Sequence, residues 1–205
     1  MDTLVIELDP PIRHEGGTCD RLTLREPTYA EVRMAEALMK AIPPEPAQER
    51  AYQQKLVATV AQVAPGVVAE LPASKLVRAA RYLDGFILGE LPARDDGDDA
   101  PAAAEASFLP PDGLTIELDP PIVQQGVTYD ALPLREPTAR QLEQAEMKIK
   151  ALRSFADTRD YQLALVQGVS GLPPSVVRAL PIRTFREAVR YLEGFLAPAP
   201  ATGAS

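Results

Sequence analysis

The sequence predicts an α+β protein made of two tandem repeats, each an N-terminal β-hairpin followed by three or four short helices. Three observations support this prediction. Two short strings recur 110 residues apart (120 − 10 = 110; 137 − 27 = 110). A period-two alternation of apolar residues opens each copy, and helical periodicity with capping signals follows it.

The duplication extends from the head of each copy to its end. The first-copy strings are ELDPPI at 7–12, LREPT at 24–28 and RYLDGF at 81–86, and their second-copy partners lie at 117–122, 134–138 and 190–195. The last pair is spaced by 109 (190 − 81 = 109), so the second copy has lost one residue in its middle. Each functional expectation therefore applies to both copies.

Composition divides the chain into four predicted segments. Repeat 1 spans 1–89, an acidic linker rich in Pro, Ala and Asp spans 90–112, repeat 2 spans 113–197, and a disordered tail spans 198–205. The linker lacks hydrophobic periodicity, so we expect it to be extended and solvated. Repeats of roughly 85 residues can each bury a modest core.

Each repeat is predicted to open with a β-hairpin. Apolar residues alternate along 4–8 and again along 22–25, which is typical of strands with one buried face. Pro10 and Pro11 are expected to end the first strand, because proline cannot donate to a strand ladder.

Helices are predicted to follow each hairpin. Thr28 with Glu31, and Thr138 with Gln141, fit the capping box that opens a helix. Apolar residues then recur at helical spacing over 32–42, 52–63 and 76–86, and over the matching stretches 142–152, 161–172 and 185–195. A short helical turn is expected between the last two helices of each copy, because proline suits a first helical position.

The sequence offers little for catalysis or metal binding. His14 and Cys19 lie in one hairpin, but Gln124 and Tyr129 occupy the matching positions of repeat 2. One His and one Cys are also too few for a closed zinc site. We therefore expect no enzyme activity, no catalytic, cofactor-binding or metal-binding residue, and no cofactor.

The recurring strand acids are a second candidate for chemistry. Glu7 with Asp9, repeated as Glu117 with Asp119, could act as a general acid and base. Cross-strand pairing with the arginine of each LREPT string is the alternative, and we prefer it because nothing in the sequence indicates a pocket.

Charge and hydropathy limit the class of partner. The formal net charge is −8, and a basic stripe is lacking, so we expect no nucleic-acid partner. No apolar run reaches membrane-spanning length, and we expect no membrane partner. The single Cys19 and the lack of a secretory signal at the start favour a cytoplasmic location.

Two recurring features are candidates for partner binding. A strand end and an N-cap explain the Pro and Thr of LREPT, but they explain the preceding Arg-Glu less well. The aromatic ridge of each closing helix is either an edge of the core, which we prefer, or a docking surface. The candidate residues are Arg25, Glu26, Tyr82, Phe86, Arg135, Glu136, Tyr191 and Phe195.

These strings together resemble the tail assembly chaperone family of long-tailed bacteriophages, which includes phage tail protein E. The hairpin, the LREPT junction, the Leu172-Pro173-Pro174 turn and the closing YLEGF helix carry the resemblance, which covers nearly all of both repeats. Members are typically single copies, whereas here two copies are fused in frame.

The resemblance implies a non-enzymatic role in assembling the tail of a phage, prophage or tailocin in the bacterial host cytoplasm. Such chaperones bind and solubilise the long, helical tape measure protein and help recruit tail tube subunits. The implied partners are the tape measure protein, the major tail tube protein and further copies of the chain. The leading alternative is a structural tail or baseplate component retained in the particle. A regulatory binding module and an enzyme are weaker alternatives.

Overall fold

The computed structural model describes residues 3–14, 17–40, 43–89, 113–147 and 154–196. Over these ranges the chain forms two β-hairpins, each followed by four helices, which confirms the predicted α+β class and the repeat pattern. The predicted linker, 90–112, and the predicted tail, 198–205, lie outside the described residues.

The elements follow one another in the same order in both repeats. Repeat 1 contains β1 (Leu4–His14), β2 (Gly17–Leu24), α1 (Tyr29–Glu36), α2 (Pro46–Ala61), α3 (Pro65–Ala69) and α4 (Ala73–Leu88). Repeat 2 contains β3 (Gly113–Gln124), β4 (Val127–Arg135), α5 (Ala139–Glu146), α6 (Phe155–Ser170), α7 (Pro174–Ala179) and α8 (Ile182–Glu193).

The first strand of each hairpin is longer than we predicted. β1 pairs antiparallel with β2 and continues past Pro10 and Pro11, so the expectation that the prolines end the strand was wrong. The register shifts between Glu7 and Ile12, and β3 shows the same shift at the matching positions. An irregularity of this kind removes the prolines from the regular ladder, which needs N–H donors, and pairing resumes beyond them.

Both predicted capping boxes are present. The Thr28 hydroxyl accepts a bond from the Glu31 backbone N–H at 3.4 Å, and Glu31 Oε2 accepts one from the Thr28 N–H at 2.8 Å. Thr138 and Gln141 make the same two bonds at the start of α5. Each box satisfies two amides that a helix start would leave unpaired.

α1 is shorter than the apolar pattern predicts. The helix ends at Glu36, although the pattern continues to Ile42, which lies outside the described residues. Beyond the helix, the Lys40 backbone N–H donates to Gln48 Oε1 of α2 at 3.2 Å, where a longer helix would use a helical carbonyl. Met39 is nevertheless buried, so the pattern marks the core better than it marks the helix end.

The two repeats share one hydrophobic core. Buried side chains of both repeats form a single cluster, in which Phe86 and Leu83 of α4 and Phe185 and Leu192 of α8 are fully buried. In repeat 1, α1 packs against α6, α7 and α8 of repeat 2, and α4 packs against α8. None of the helices in the described ranges is long and apolar enough to cross a membrane.

Candidate functional site

The repeats meet where the end of the LREPT string of repeat 1 lies against the residues just before α8 of repeat 2. The Tyr29 backbone N–H donates to the Leu180 carbonyl at 3.0 Å, and the Ile182 N–H donates to the Pro27 carbonyl at 2.9 Å. These two bonds join the end of the LREPT string of repeat 1 to the Leu-Pro turn before α8. The contact therefore has a backbone component that does not depend on side-chain identity.

Tyr29 anchors this interface. Its side chain is 1% exposed, and its ring lies 4.3 Å from the ring of Phe185 between centroids. Its hydroxyl donates to the Arg159 carbonyl at 2.7 Å. Burial raises the pKa of the Tyr29 hydroxyl, and the nearby Asp160 adds to this effect. The hydroxyl therefore remains a hydrogen-bond donor at physiological pH.

Two ion pairs flank the aromatic contact. Arg33 donates to both carboxylate oxygens of Asp160, at 2.8 and 2.7 Å. Arg159 Nε donates to the Glu36 carboxylate at 3.1 Å, and Glu36 is only 4% exposed. Burial raises the pKa of Glu36, and Arg159 partly opposes that rise. A buried acid without Arg159 would therefore be costly.

Of the predicted residues, Glu26 lies in this interface and Arg25 lies beside it. Glu26 accepts a hydrogen bond from the Arg183 backbone N–H at 2.8 Å, and its carboxylate forms an ion pair with Arg183 Nε at 3.2 Å. Arg25 instead donates to both oxygens of Glu31 in α1, at 2.9 and 2.6 Å. Burial alone would raise the pKa of Glu31, but the bonds from Arg25 and Thr28 outweigh it and hold that pKa below its usual value.

The preferred pairing of strand acids with the LREPT arginines was therefore wrong for repeat 1. The strand register places Arg21 opposite Glu7, while Arg25 lies beyond the end of β2 and binds Glu31. The helix-capping acid is closer to Arg25 than the strand acids are, and the sequence spacing did not show this.

The aromatic ridge of α4 also contributes to the interface. Phe86 is fully buried, and Tyr82 packs edge-on against it at 5.1 Å. The Arg183 guanidinium lies 4.6 Å from the Phe86 ring centroid, which is a cation–π contact. Arg186 donates to the Phe86 carbonyl at 3.1 Å and to the carbonyl of Leu88 at 2.8 Å.

The matching candidates in repeat 2 have different surroundings. Arg135 and Glu136 are exposed. Tyr191 is buried and Phe195 is half-buried, and their rings meet edge-on at 5.2 Å. The two repeats therefore present different surfaces, although their strings are nearly the same.

Two grooves in the described part of the chain contain predicted residues. The α4 groove has a volume of about 720 Å³ and is lined by Leu4, Gln53, Val77, Arg78, Ala80, Arg81, Tyr82, Asp84, Gly85 and Leu88. The junction groove, between the repeats, has a volume of about 560 Å³ and is lined by Arg25, Glu26, Thr28, residues 119–122, Ala179, Pro181, Arg183 and Thr184. Among the described residues that line them, neither groove pairs a nucleophile with a general base.

Sequence reasoning missed the residues that join the repeats. The two copies differ at these sites. The positions that match Tyr29, Arg33 and Asp160 hold Ala139, Glu143 and Ala51. Comparison of the copies for differences, rather than for repeated strings, would have identified them. The copies differ at these positions because only one copy of each contacting surface is buried between the repeats.

The comparisons with known proteins agree with this architecture. The family described as phage tail assembly chaperone proteins, E, or 41 or 14, matches the chain twice, at residues 5–88 and 115–197. No curated protein and no solved structure matches the chain significantly. The two family matches coincide with the two hairpin-plus-helices units and together cover most of the 205 residues. This chain therefore belongs to the family of phage tail assembly chaperone proteins, as two tandem copies in one polypeptide.

Proposed function

We propose that this chain acts without enzymatic activity during tail assembly in the host cytoplasm, where it binds the tape measure protein, keeps it soluble and helps recruit tail tube subunits. Membership of the family supports a role in tail assembly. The α4 groove is the observation that supports a helical protein as the partner.

The α4 groove has the shape and chemistry of a helix-binding site. Val77 and Leu88 are 44% and 61% exposed, although both are large apolar residues on the helix that forms the groove. They lie eleven positions apart (88 − 77 = 11), which corresponds to about three helical turns. Arg81 and Asp84, four and seven positions after Val77, lie on the same helix face between these two apolar residues and line the groove with them. An amphipathic helix docks on such a surface through its apolar face.

The proposed partner fits this surface physically. A long helical protein that is not yet surrounded by its tube exposes apolar surface, which promotes aggregation. A chaperone that covers part of that surface reversibly keeps the partner soluble until tube subunits replace it. Two fused modules would also raise the effective concentration of binding sites along a long partner.

The test is co-expression of the tagged chain with the tape measure protein of the same phage or prophage. We expect the tape measure protein to become soluble and to be captured with the chain. Val77→Glu with Leu88→Glu should abolish capture, because charged groups would replace the two exposed apolar side chains of the groove. Val127→Glu is the matched control, since Val127 is 51% exposed and lies on β4, outside the groove.

Three results would contradict the proposal. The first is a folded chain that neither captures nor solubilises the tape measure protein. The second is equal capture by the groove and control variants, which would exclude the α4 groove as the binding site. The third is stoichiometric retention of the chain in purified particles, which would favour a structural component of the tail or baseplate.

A further inference from the structure

We propose that the α4 groove selects an acidic amphipathic helix, in which two carboxylates about one helical turn apart pair with Arg78 and Arg81. The proposal rests on the helix-binding role proposed above for this groove, and it adds the charge that the partner helix must carry. Two exposed arginines and a comparison of the two repeats support it.

The two arginines of the α4 groove have open guanidinium groups. Arg78 and Arg81 are exposed and line the groove together with Val77. Within the described part of the chain, neither arginine side chain makes a hydrogen bond or an ion pair. Three positions separate them (81 − 78 = 3), so their side chains leave the same side of α4 about one turn apart. Both guanidinium groups are therefore available to a partner.

The acid of the groove does not neutralise these arginines. Asp84 is half-buried, and its carboxylate accepts a hydrogen bond from the Tyr52 hydroxyl at 3.1 Å. It makes no ion pair with any residue that the structure describes. Two arginines and one aspartate give the lining residues a net charge of +1 (2 − 1 = 1). The groove is therefore locally positive, although the whole chain has a formal net charge of −8.

The matching surface of repeat 2 has different chemistry. Arg186 and Glu187 of α8 occupy the positions that Val77 and Arg78 occupy in α4. The Arg186 guanidinium already donates to two backbone carbonyls at the end of α4, at 3.1 and 2.8 Å. In repeat 2 a cation thus replaces the exposed apolar residue, and an acid replaces one of the two arginines. The acidic helix therefore selects repeat 1.

The spacing of the arginines sets the pattern that the partner must carry. Side chains three or four positions apart are neighbours on a helix, so two acids at that spacing reach both guanidinium groups. Arginine binds a carboxylate through two parallel N–H bonds, which adds geometric specificity. Val77 and Leu88 lie about 16 Å apart along α4 and contact the apolar face of the same partner helix. The partner is an amphipathic helix with acids along one edge of its apolar face.

Two synthetic helices of about 18 residues, or about five turns, test this charge preference. Both carry the same leucine face, and the flanking positions hold Glu in one helix and Lys in the other. Fluorescence anisotropy with the full chain should give a dissociation constant about tenfold lower for the Glu helix. The net charge of −8 favours the Lys helix through nonspecific attraction, so a preference for the Glu helix reports the local charge of the groove.

Charge reversal at the two arginines locates the preference. Arg78→Glu with Arg81→Glu should invert it, so that the Lys helix binds more tightly. Arg140→Glu with Arg178→Glu is the matched control, because both residues are exposed, lie outside the groove and change the net charge equally. The control variant should keep the preference for the Glu helix. Circular dichroism shows whether each variant is folded.

The salt dependence of binding tests the proposal on the wild-type chain alone. The arginines are exposed, so their attraction for carboxylates is screened by salt. Raising the NaCl concentration from about 0.05 M to about 0.5 M should therefore reduce the preference for the Glu helix. A preference that is unchanged by salt would contradict the pairing with Arg78 and Arg81.

The outcomes separate this inference from the proposed function. A wild-type chain that binds neither helix, or that shows no preference for the Glu helix, overturns the inference. So does a preference that survives charge reversal of Arg78 and Arg81. Preference for the Glu helix without capture of the tape measure protein overturns the proposed function and leaves the inference standing. Capture of the tape measure protein without that preference has the opposite meaning.

Discussion

The ring of Tyr29 in repeat 1 packs 4.3 Å from the ring of Phe185 in repeat 2, and the Tyr29 hydroxyl donates to the Arg159 carbonyl. The position that matches Tyr29 in repeat 2 is Ala139, which is exposed. One aromatic residue, present in only one copy, thus anchors the contact that joins the two repeats into a single core.

Truncation of Tyr29 should destabilise the whole chain. We expect Tyr29→Ala to lower the free energy of unfolding by about 3–5 kcal/mol, because it leaves a cavity beside Phe185. Tyr29→Phe keeps the ring and loses only the hydroxyl bond, so its cost should be about 1 kcal/mol. Urea unfolding at constant protein concentration measures both. Equal costs for the two variants would show that the ring contact contributes little.

Truncation of Arg159 should lower the free energy of unfolding much more than truncation of Arg50, its counterpart in repeat 1. Arg159→Ala leaves Glu36 buried without its cationic partner, which typically costs about 3–5 kcal/mol. Arg50→Ala is the matched control, because Arg50 is exposed and a surface truncation usually changes stability by less than about 0.5 kcal/mol. Thermal and urea unfolding at low concentration compare the two. Similar losses of stability in the two variants would show that burial of Glu36 does not make Arg159 important.

Glu31 should make the stability of the chain depend on pH in the acidic range. Its pKa in the folded chain is held below the ordinary value of 4.5 by Arg25 and Thr28, despite burial. The carboxylate therefore contributes stability above pH 4.5, and this contribution is lost as the pH falls through the lowered folded pKa. We expect the stability difference between the wild-type chain and Glu31→Gln to narrow on acidification.

The glutamine variant is a well-matched test of this charge effect. Gln141 completes the same capping box in repeat 2, so Glu31→Gln should keep the cap and remove only the charge. The measurement is the free energy of unfolding of both chains at neutral and acidic pH. A difference that is constant with pH would show that the Arg25–Glu31 pair does not contribute.

The two repeats should depend on each other for stability. Separation into fragments 1–89 and 113–205 exposes Tyr29, Phe86, Phe185 and Ile182, which are all buried in the full chain. We expect each fragment to unfold at lower urea concentration than the full chain, and an equimolar mixture to recover stability. The size of the complex by light scattering provides a second readout. Fragments as stable as the full chain would contradict the shared core.

Much of the local structure was predictable because its signals are local. The capping boxes at Thr28 and Thr138 follow from residues three positions apart, and the helices follow from apolar spacing within single segments. The Pro10-Pro11 pair was misread because a register shift depends on the partner strand as well as on the strand itself.

The sequence by itself determined the two repeats, their order of hairpin and helices, and the family to which they belong. Only the tertiary structure decided that α1 of repeat 1 packs against α6, α7 and α8 of repeat 2. It also decided that Arg25 binds Glu31 and that the rings of Tyr29 and Phe185 meet. Both repeats present nearly the same strings, so local pattern cannot show which copy of a face is buried. That choice depends on interactions between residues more than a hundred positions apart, where Tyr29, Arg33 and Asp160 complement one another and their counterparts do not.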